Sequence, residues 1–551
     1  MHQRNNIKWV ALKLVNLYFC EKQGIDKRKG MKSNKYVVLS IAIVMSIGGL
    51  INTVSANNDV LYIWSGAVSS HSARVNVVLE LPSSRVRVAM DKTSEFKEPI
   101  YSDYCGVDAD KGNVGSFWVK GLAPGTLYYY AVEIDGVMDL SADDRGTLKT
   151  FEEGAFSYSF LLGACNFFPN NPVYDKMRVM PALFYLNTGD LHYANPNTKD
   201  VKPHRDAYED RVLSKERESK LLRKMPIAYI WDDHDYCGDN NDGNDGCGVA
   251  AKQAYTEYVP HYPLGDPDGK TGIYQAFTAG RVRFIMSDVR SQRSEGHIMS
   301  REQMQWFKNE MITARDRGEV IAWVTSVSYS GTKKDNWGGF EKDREEIGNF
   351  LKEQKIENLF ILSGDAHMTA IDNGTNTDFS TGKDNPYRYP VFQSAALNNV
   401  GSDKGGIYSE GGTFPNPPFT GQFGLVTVTD YGGSEICINF KSYRLQYLFD
   451  SMKELLNFDF CRTVQVEHSS KTPAPLWLIA KSGGRHYEIR NSNESDLDIK
   501  VFDRNGQVYY QRYIKELDTV FVLDLSGLAA GEYFIRVEMG TKLDVARIDI
   551  P

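Results

Sequence analysis

No long internal repeat and no low-complexity tract interrupts this sequence, which leaves ordinary globular domains as its building blocks. Positive charge is in short supply, with 63 Lys and Arg against 71 Asp and Glu and a net charge of −8. Seven net positive charges lie in residues 1–56, so the remainder carries −15. Such an acidic chain has no stable nucleic-acid partner and no affinity for anionic membranes, but it suits divalent cations.

Long apolar runs are equally scarce. The run Val37–Ile51 is about 15 residues, short of the ~20 that span a bilayer. Met31, Lys32 and Lys35 precede it and the small-residue site Val54-Ser55-Ala56 follows it, as in a secretory signal. Residues 1–56 are expected to be a signal-peptide region that initiates at Met31, with a mature chain from Asn57 and no membrane segment after removal. No cysteine follows the run, which argues against a lipoprotein. The expected location is extracytoplasmic: periplasm, cell surface or medium.

Cysteine is sparse, seven in 551 residues. Six lie beyond residue 56: Cys105, Cys165, Cys237, Cys247, Cys437 and Cys461. An even number in an oxidising compartment points to disulfides. Cys237 and Cys247 are positioned to close a short loop, and Cys437 and Cys461 are a second candidate pair.

The chain divides by pattern. Residues 57–152 alternate in strand fashion (61–64, 73–81, 85–90, 116–122, 127–134), and GLAPGTLYYYAVEIDG resembles the end of a fibronectin type III sandwich. Tyr128 to Tyr130 serve either its core or a carbohydrate platform, and core packing is the commoner use. Over 153–464 strands alternate with helices, the mark of a sheet covered on both faces. Strands are expected at 157–163, 183–188, 226–231, 281–287, 319–327 and 358–363, and helices near 206–224, 249–259, 301–315 and 342–354. Segment 371–420, rich in Gly, Asn and Pro, reads as a long functional loop. Leu445, Leu448, Phe449, Met452 and Leu455 recur at helical spacing, so a packed helix is expected over 441–460. A linker at 465–475 precedes a small β-sandwich at 476–551, with Asp503, Asn505 and Gly506 at a hairpin turn. The fold class is multidomain α/β plus β.

Four expected strand ends carry chemistry. IAYIWDDHDY ends in Asp232, Asp233, His234 and Asp235; LLGACNFF in Cys165 and Asn166; LNTGDLHYAN in Asp190 and Tyr193; LFILSGDAHM in Asp365 and His367. Strand carboxyl ends are where α/β sheets bind ligands. Three carboxylates around one histidine repel one another unless a cation sits among them or protons neutralise some. Taken singly, each has a plainer reading: a capped acidic turn, or a buried Cys165 acting as a small hydrophobe. Taken together they supply thiolate, phenolate, imidazole and carboxylate, which suit a transition metal beside a hard cation. Two cations about 3.5–4 Å apart can clamp an in-line displacement at phosphorus and lower the pKa of a bound water toward ~7. His234 can then bind the phosphate or protonate the leaving oxygen.

With GACN, GDLHY, WDDHDY, SDVRSQR and SGDAHM in this order, the sequence resembles the PhoD-like alkaline phosphatases and phosphodiesterases of the calcineurin-like metallophosphoesterase superfamily. The resemblance covers roughly residues 60–435. It implies a four-layer α/β/β/α domain, a fibronectin-like amino domain and a site using ferric iron with calcium, a generic divalent pair being the fallback. Cys165, Tyr193 and His367 would bind iron, Asp190 would bridge, and Asp233 and Asp365 would bind calcium. Arg290 falls at an Asp-x-Arg of the family, which implies a phosphate contact, with salt-bridge packing as an equal alternative. Asn166 is a candidate substrate or metal contact, and Asn398 and Asn399 are further oxygen donors.

Two departures stand out. The stretch after WDDHD, YCGDNNDGNDGCG, carries Asp239, Asp242 and Asp245, which either hold an extra calcium or form a solvated, stapled loop beside the site. In VTSVSYSG, Ser326 and Ser328 stand where relatives often place a metal-binding histidine. At the carboxyl end, DLSGLAAGEYFIRV resembles the sorting domains of Bacteroidota type IX secretion, although the chain ends VARIDIP rather than in a basic strand. That implies a secretion-machinery partner, with an ordinary Ig-like module as the alternative. The expected function is an extracytoplasmic phosphoesterase acting on small phosphate esters or phospholipid. A calcium-binding surface module without turnover is the competing reading, and a hydrolase of amides or sulfate esters would reuse the same cations.

Overall fold

The computed structural model describes residues 58–141, 145–244, 246–402, 404–412, 421–446, 450–464, 478–483, 486–490, 497–503, 507–514, 520–539 and 542–550. The signal region, the linker, Asp245, Leu448, Phe449, Asn505 and Gly506 lie outside the described residues.

Two mixed sheets stacked face to face build the centre. One has nine strands, ordered Ser451–Thr463, Glu435–Gln446, Gln422–Thr429, Tyr158–Gly163, Tyr185–Asn187, Ile227–Tyr229, Val60–Gly66, Ser72–Leu79 and Val114–Lys120. The other has seven: Gln275–Ala279, Val282–Ser287, Val320–Thr325, Leu359–Ser363, Val391–Ser394, Thr369–Asp372 and Glu410–Gly412. Strand alternation assigns the faces. Phe284, Met286, Ala322, Val324, Phe360 and Leu362 join the core shared with Phe160, Leu162 and Phe440. Their sequence neighbours Ile285, Ile321, Trp323, Leu359 and Ile361 point the other way, toward Met304, Phe307 and Met311 of helix Arg301–Asp316 and Ile347 and Leu351 of helix Glu341–Glu353. Strands buried on both faces read as unbroken apolar runs, which is why VIAWVT and LFILS lack polar alternation.

The amino-terminal strands fall near their expected places, but they do not form a detached module. Val60–Gly66, Ser72–Leu79 and Val114–Lys120 extend the nine-stranded sheet, with Gly66 in parallel register with Ile227. Their inner side chains, Val75, Val77, Phe117 and Val119, share a core with Val86, Val88, Tyr130 and Val132 of a second, six-stranded sheet. Tyr128 and Tyr130 are buried, which excludes them from a carbohydrate platform.

Two expectations are corrected. The helix expected at 441–460 is a hairpin of Glu435–Gln446 and Ser451–Thr463, stapled where Cys437 faces Cys461. Ile436, Ile438, Phe440 and Ser442 face inward at a period of two, and Phe440 stacks on Phe392 with ring centroids 4.8 Å apart. The helical spacing of the leucines was outweighed by pairing with Gln422–Thr429 and by the aromatic layer beneath. Segment 371–420 is not one loop, because Val391–Ser394 and Glu410–Gly412 belong to the seven-stranded sheet. Of its irregular stretches, 395–402 and 404–409 are the ones that reach the site, through Asn398, Val400 and Lys404.

At the carboxyl end a three-stranded sheet (Leu478–Gly483, His486–Arg490, Val520–Asp524) and a four-stranded sheet (Leu497–Asp503, Val508–Ile514, Gly531–Met539, Lys542–Ile550) share a core of Tyr487, Ile499, Val501, Leu523, Ile535 and Val537.

Candidate metal centre

The carboxyl ends of Tyr158–Gly163, Tyr185–Asn187, Ile227–Tyr229 and Leu359–Ser363 converge where the two sheets meet. The chain turns sharply at each end. Cys165, Asp190, Asp365 and His367 all take positive φ, at 63°, 54°, 59° and 34°. Residues other than glycine pay for this conformation, so four instances around one point mark a place where the fold holds side chains against their local preference. Gly189, at φ 116°, must be glycine on space alone, since a Cβ there would lie 2.5 Å from that of Asp232.

Three overlapping groups of donor atoms result, each with its atoms within 4.8 Å of one another: Cys165, Asp190 and His367; Asp190, Asp233 and His234; Asp232, Asp233 and Asp365. Asp190 belongs to the first two. Its Oδ2 accepts a hydrogen bond from the Tyr193 hydroxyl at 2.8 Å, and its Oδ1 accepts from the His234 backbone N–H at 3.3 Å. The Tyr193 oxygen also lies 3.1 Å from His367 Nε2, while His367 Nδ1 meets the carbonyl of Val400 at 2.7 Å. With Nδ1–H donated to that carbonyl, Nε2 is left as the free lone pair, the tautomer a metal ligand needs.

Electrostatics follows from burial. Desolvation first, then the carboxylates of Asp233 and Asp232, push the Asp190 carboxyl well above its usual range. Burial, with Asp190 as neighbour, does the same to the Cys165 thiol and the Tyr193 phenol. Burial raises Asp365 to about 7 against the pull of Lys404. Burial, with Lys404 nearby, lowers His367 to about 4. On Asp233 burial opposes the charge, but Arg290, His234 and the Asn240 N–H outweigh it and hold the carboxyl low. Protons thus occupy several of the donors where a cation would replace them.

Orphaned atoms test whether a cation fits. Asp232 Oδ2, Asp233 Oδ1 and Asp365 Oδ2 are buried without a hydrogen-bond partner among the described residues. An unpartnered buried carboxylate oxygen is costly, and three facing one volume are the mark of a cation site. The donor set divides by hardness: sulfur, phenol and imidazole on one side of Asp190, carboxylates on the other.

The remaining candidates sit around this centre. His234 lies over the Tyr193 ring with centroids 3.9 Å apart, and its Nδ1 meets Asn195 Oδ1 at 2.6 Å. Asn166 Oδ1 accepts from Asn398 Nδ2 at 2.5 Å, and Asn399 Nδ2 lies 3.2 Å from His367 Nε2. Arg290 is fully buried; Asp232 takes its Nε, and Asp335 takes Nη1 at 2.6 Å and Nη2 at 3.1 Å. Its donors are turned to carboxylates, the arrangement that the salt-bridge alternative describes. Asp235 is a structural cap: its carboxylate accepts from the N–H groups of Asp232 and His192. Cys237 and Cys247 are bonded, closing the acidic loop whose Asn240 N–H donates to Asp233 Oδ2 at 2.6 Å. Asp239 in that loop approaches His234 Nε2 at 3.8 Å. Ser326 donates to Asp232 Oδ1 at 3.0 Å, and Ser328 donates to the carbonyl of Gly405 at 2.5 Å. Lys404, Asp335 and Asn195 were not singled out from sequence. Lys404 forms an ion pair with Asp365 Oδ1, and nothing around it in the sequence separates it from a surface lysine.

Family models match two stretches of this chain. Residues 164–391 match the PhoD-like phosphatase model, and residues 486–550 match the secretion system C-terminal sorting domain. Alkaline phosphatase D of Bacillus subtilis (strain 168) is 24% identical over 341 residues, a match spanning 51% of this chain and 56% of that protein. The chain thus matches little more than half the length of that relative. A solved structure of PhoD superimposes with a TM-score of 0.58 at 15% identity, over 74% of this chain and 93% of the other, a likeness of fold. A carboxyl-terminal sorting domain suggests a secreted or cell-surface protein, and among the described residues no helix is long and apolar enough to cross a membrane. The chain is therefore similar to PhoD-like phosphatases over residues 164–391 and to secretion system C-terminal sorting domains over residues 486–550.

Proposed function

We propose that this chain is an extracytoplasmic, metal-dependent phosphoesterase that hydrolyses phosphate mono- or diesters of small molecules or phospholipids. The observation that carries the reading is the convergence of Cys165, Asp190, Tyr193 and His367 beside Asp233 Oδ1 and Asp365 Oδ2, which have no hydrogen-bond partner among the described residues. A glycan- or protein-binding module has no use for a thiol and a phenol on one centre.

In this reading Cys165, Tyr193 and His367 would hold ferric iron together with Asp190, and Asp233 and Asp365 would hold calcium. Bound there, the pair would supply Lewis acidity toward phosphoryl oxygens and a water. The chain's residues do the rest. The His234 backbone N–H holds Asp190 Oδ1 at 3.3 Å, a contact that stays when the Tyr193 phenol gives up its proton. Asn195 orients the His234 ring by taking Nδ1–H, which leaves Nε2 to carry a proton to the leaving oxygen. Arg290 balances Asp232 and Asp335 and keeps Asp233 ionised. Asn166 is buried, its Nδ2 donating to the Leu191 carbonyl at 3.2 Å and its Oδ1 accepting from Asn398, so it braces the strand end behind the centre.

The test is a substrate panel of paired aryl phosphate mono- and diesters with an aryl sulfate and an anilide. Turnover of either phosphate and neither control supports the reading. Turnover confined to the sulfate or the anilide would replace it with another hydrolase.

A further inference from the structure

Lys404 is the only lysine or arginine other than Arg290 and Arg293 whose ion pairs reach the central carboxylates among the described residues. Its ammonium pairs with Asp365 Oδ1 and lies 4.0 Å from Asp335, while Asp365 Oδ2 has no hydrogen-bond partner. The backbone beneath it is fixed. Asn336 Nδ2 donates to the Lys404 carbonyl at 2.8 Å, and Ser328 holds the next one, of Gly405. Gly406 is pressed so closely on Ser330 that a Cβ would come within 2.1 Å of its carbonyl oxygen. The four-carbon stem of Lys404 is what can move, and its side chain keeps 29% exposure.

Charge decides where it goes. Ferric iron would balance the thiolate of Cys165, the phenolate of Tyr193 and Asp190; the remaining Asp232, Asp233, Asp335 and Asp365 face Arg290, Arg293 and Lys404, which leaves one net negative charge. A dication among them turns that into one net positive charge, which repels the ammonium and attracts an anion. We infer that Lys404 is an internal competitor for the second cation: it occupies Asp365 while the cation is absent, and when the cation takes that carboxylate it swings out to the oxygens of the bound phosphate. This rests on the phosphoesterase reading.

Calorimetric titration of calcium chloride into iron-loaded, calcium-stripped protein tests it, with wild type beside Lys404→Gln and Lys404→Met. Loss of the competitor is expected to tighten calcium binding about ten- to hundredfold, the worth of the charge-assisted hydrogen bond that the cation no longer has to displace. Inorganic phosphate should bind the calcium-loaded variants about tenfold more weakly, the loss of one charge-assisted hydrogen bond. Lys404→Arg, which keeps the charge, should stay near wild type in both and guards against a folding defect. Calcium affinity that is unchanged or weaker in the neutral variants would overturn the competition, and unchanged phosphate affinity would overturn the swing. Absence of calcium binding in every protein, with iron retained, would remove the second cation site itself.

Discussion

The Tyr193 hydroxyl donates to Asp190 Oδ2 at 2.8 Å and lies 3.1 Å from His367 Nε2, so one phenol links the carboxylate of one strand end to the imidazole of another. Both contacts are made by the donor set assigned to iron. Phenolate and thiolate on ferric iron both give visible charge-transfer bands, so Tyr193→Phe is expected to remove the phenolate band and leave that of the Cys165 thiolate. Its far-ultraviolet circular dichroism should not change. A visible spectrum that the substitution leaves unaltered would show that the phenol is not a ligand.

Arg290 separates two roles. As a buried partner of Asp232 and Asp335 it should cost about 3–5 kcal/mol when Arg290→Gln leaves those carboxylates uncompensated. Arg290→Lys should recover part of that, since one ammonium cannot serve both carboxylates. Chemical denaturation reads the loss. A rise in KM with unchanged stability would instead restore the phosphate contact expected from sequence.

Glu218 makes a pH prediction away from the metals. Its carboxylate accepts the Asn170 N–H at 2.6 Å, and burial raises it from 4.5 to about 7. Between those values the folded chain binds a proton that the unfolded chain has lost, so this group's contribution falls as pH rises through the window. The span corresponds to about 3 kcal/mol at most. Glu218→Gln should flatten the decline between pH 4.5 and 7, measured by urea midpoints. An unchanged slope would contradict the raised value.

The Cys237–Cys247 bond closes a loop of sequence separation 10, and the Asn240 N–H within that loop holds Asp233. The paired Cys237→Ser and Cys247→Ser substitutions should cost about 2–3 kcal/mol. They should also weaken calcium binding, because Asp233 loses its brace. A drop in stability with unaltered calcium affinity would confine the bond to the fold.

Much of this was legible in the sequence, and the failures share a cause. Apolar runs ending in polar clusters located the central strands, because strands buried on both faces need continuous hydrophobicity and their carboxyl ends need donors. The same signal brought Cys165, Asp190, Tyr193, Asp233, Asp365 and His367 to attention. The hairpin at 435–463 was misread because Leu445, Met452 and Leu455 satisfy a helical period locally, while the aromatic layer of Phe392 and Phe440 that fixes it as sheet comes from distant sequence. The joining of Gly66 to Ile227 and the approach of Lys404 to Asp365 are likewise long-range. No local pattern carries them.

The central claim is tested most directly by elemental analysis of protein purified without chelator, in wild type and Asp190→Ala, beside hydrolysis of the aryl phosphates. The account predicts iron near one per chain with calcium-dependent turnover in wild type, and loss of turnover in the variant together with depleted metal. Wild-type protein with calcium but no iron and no turnover of either ester would contradict it.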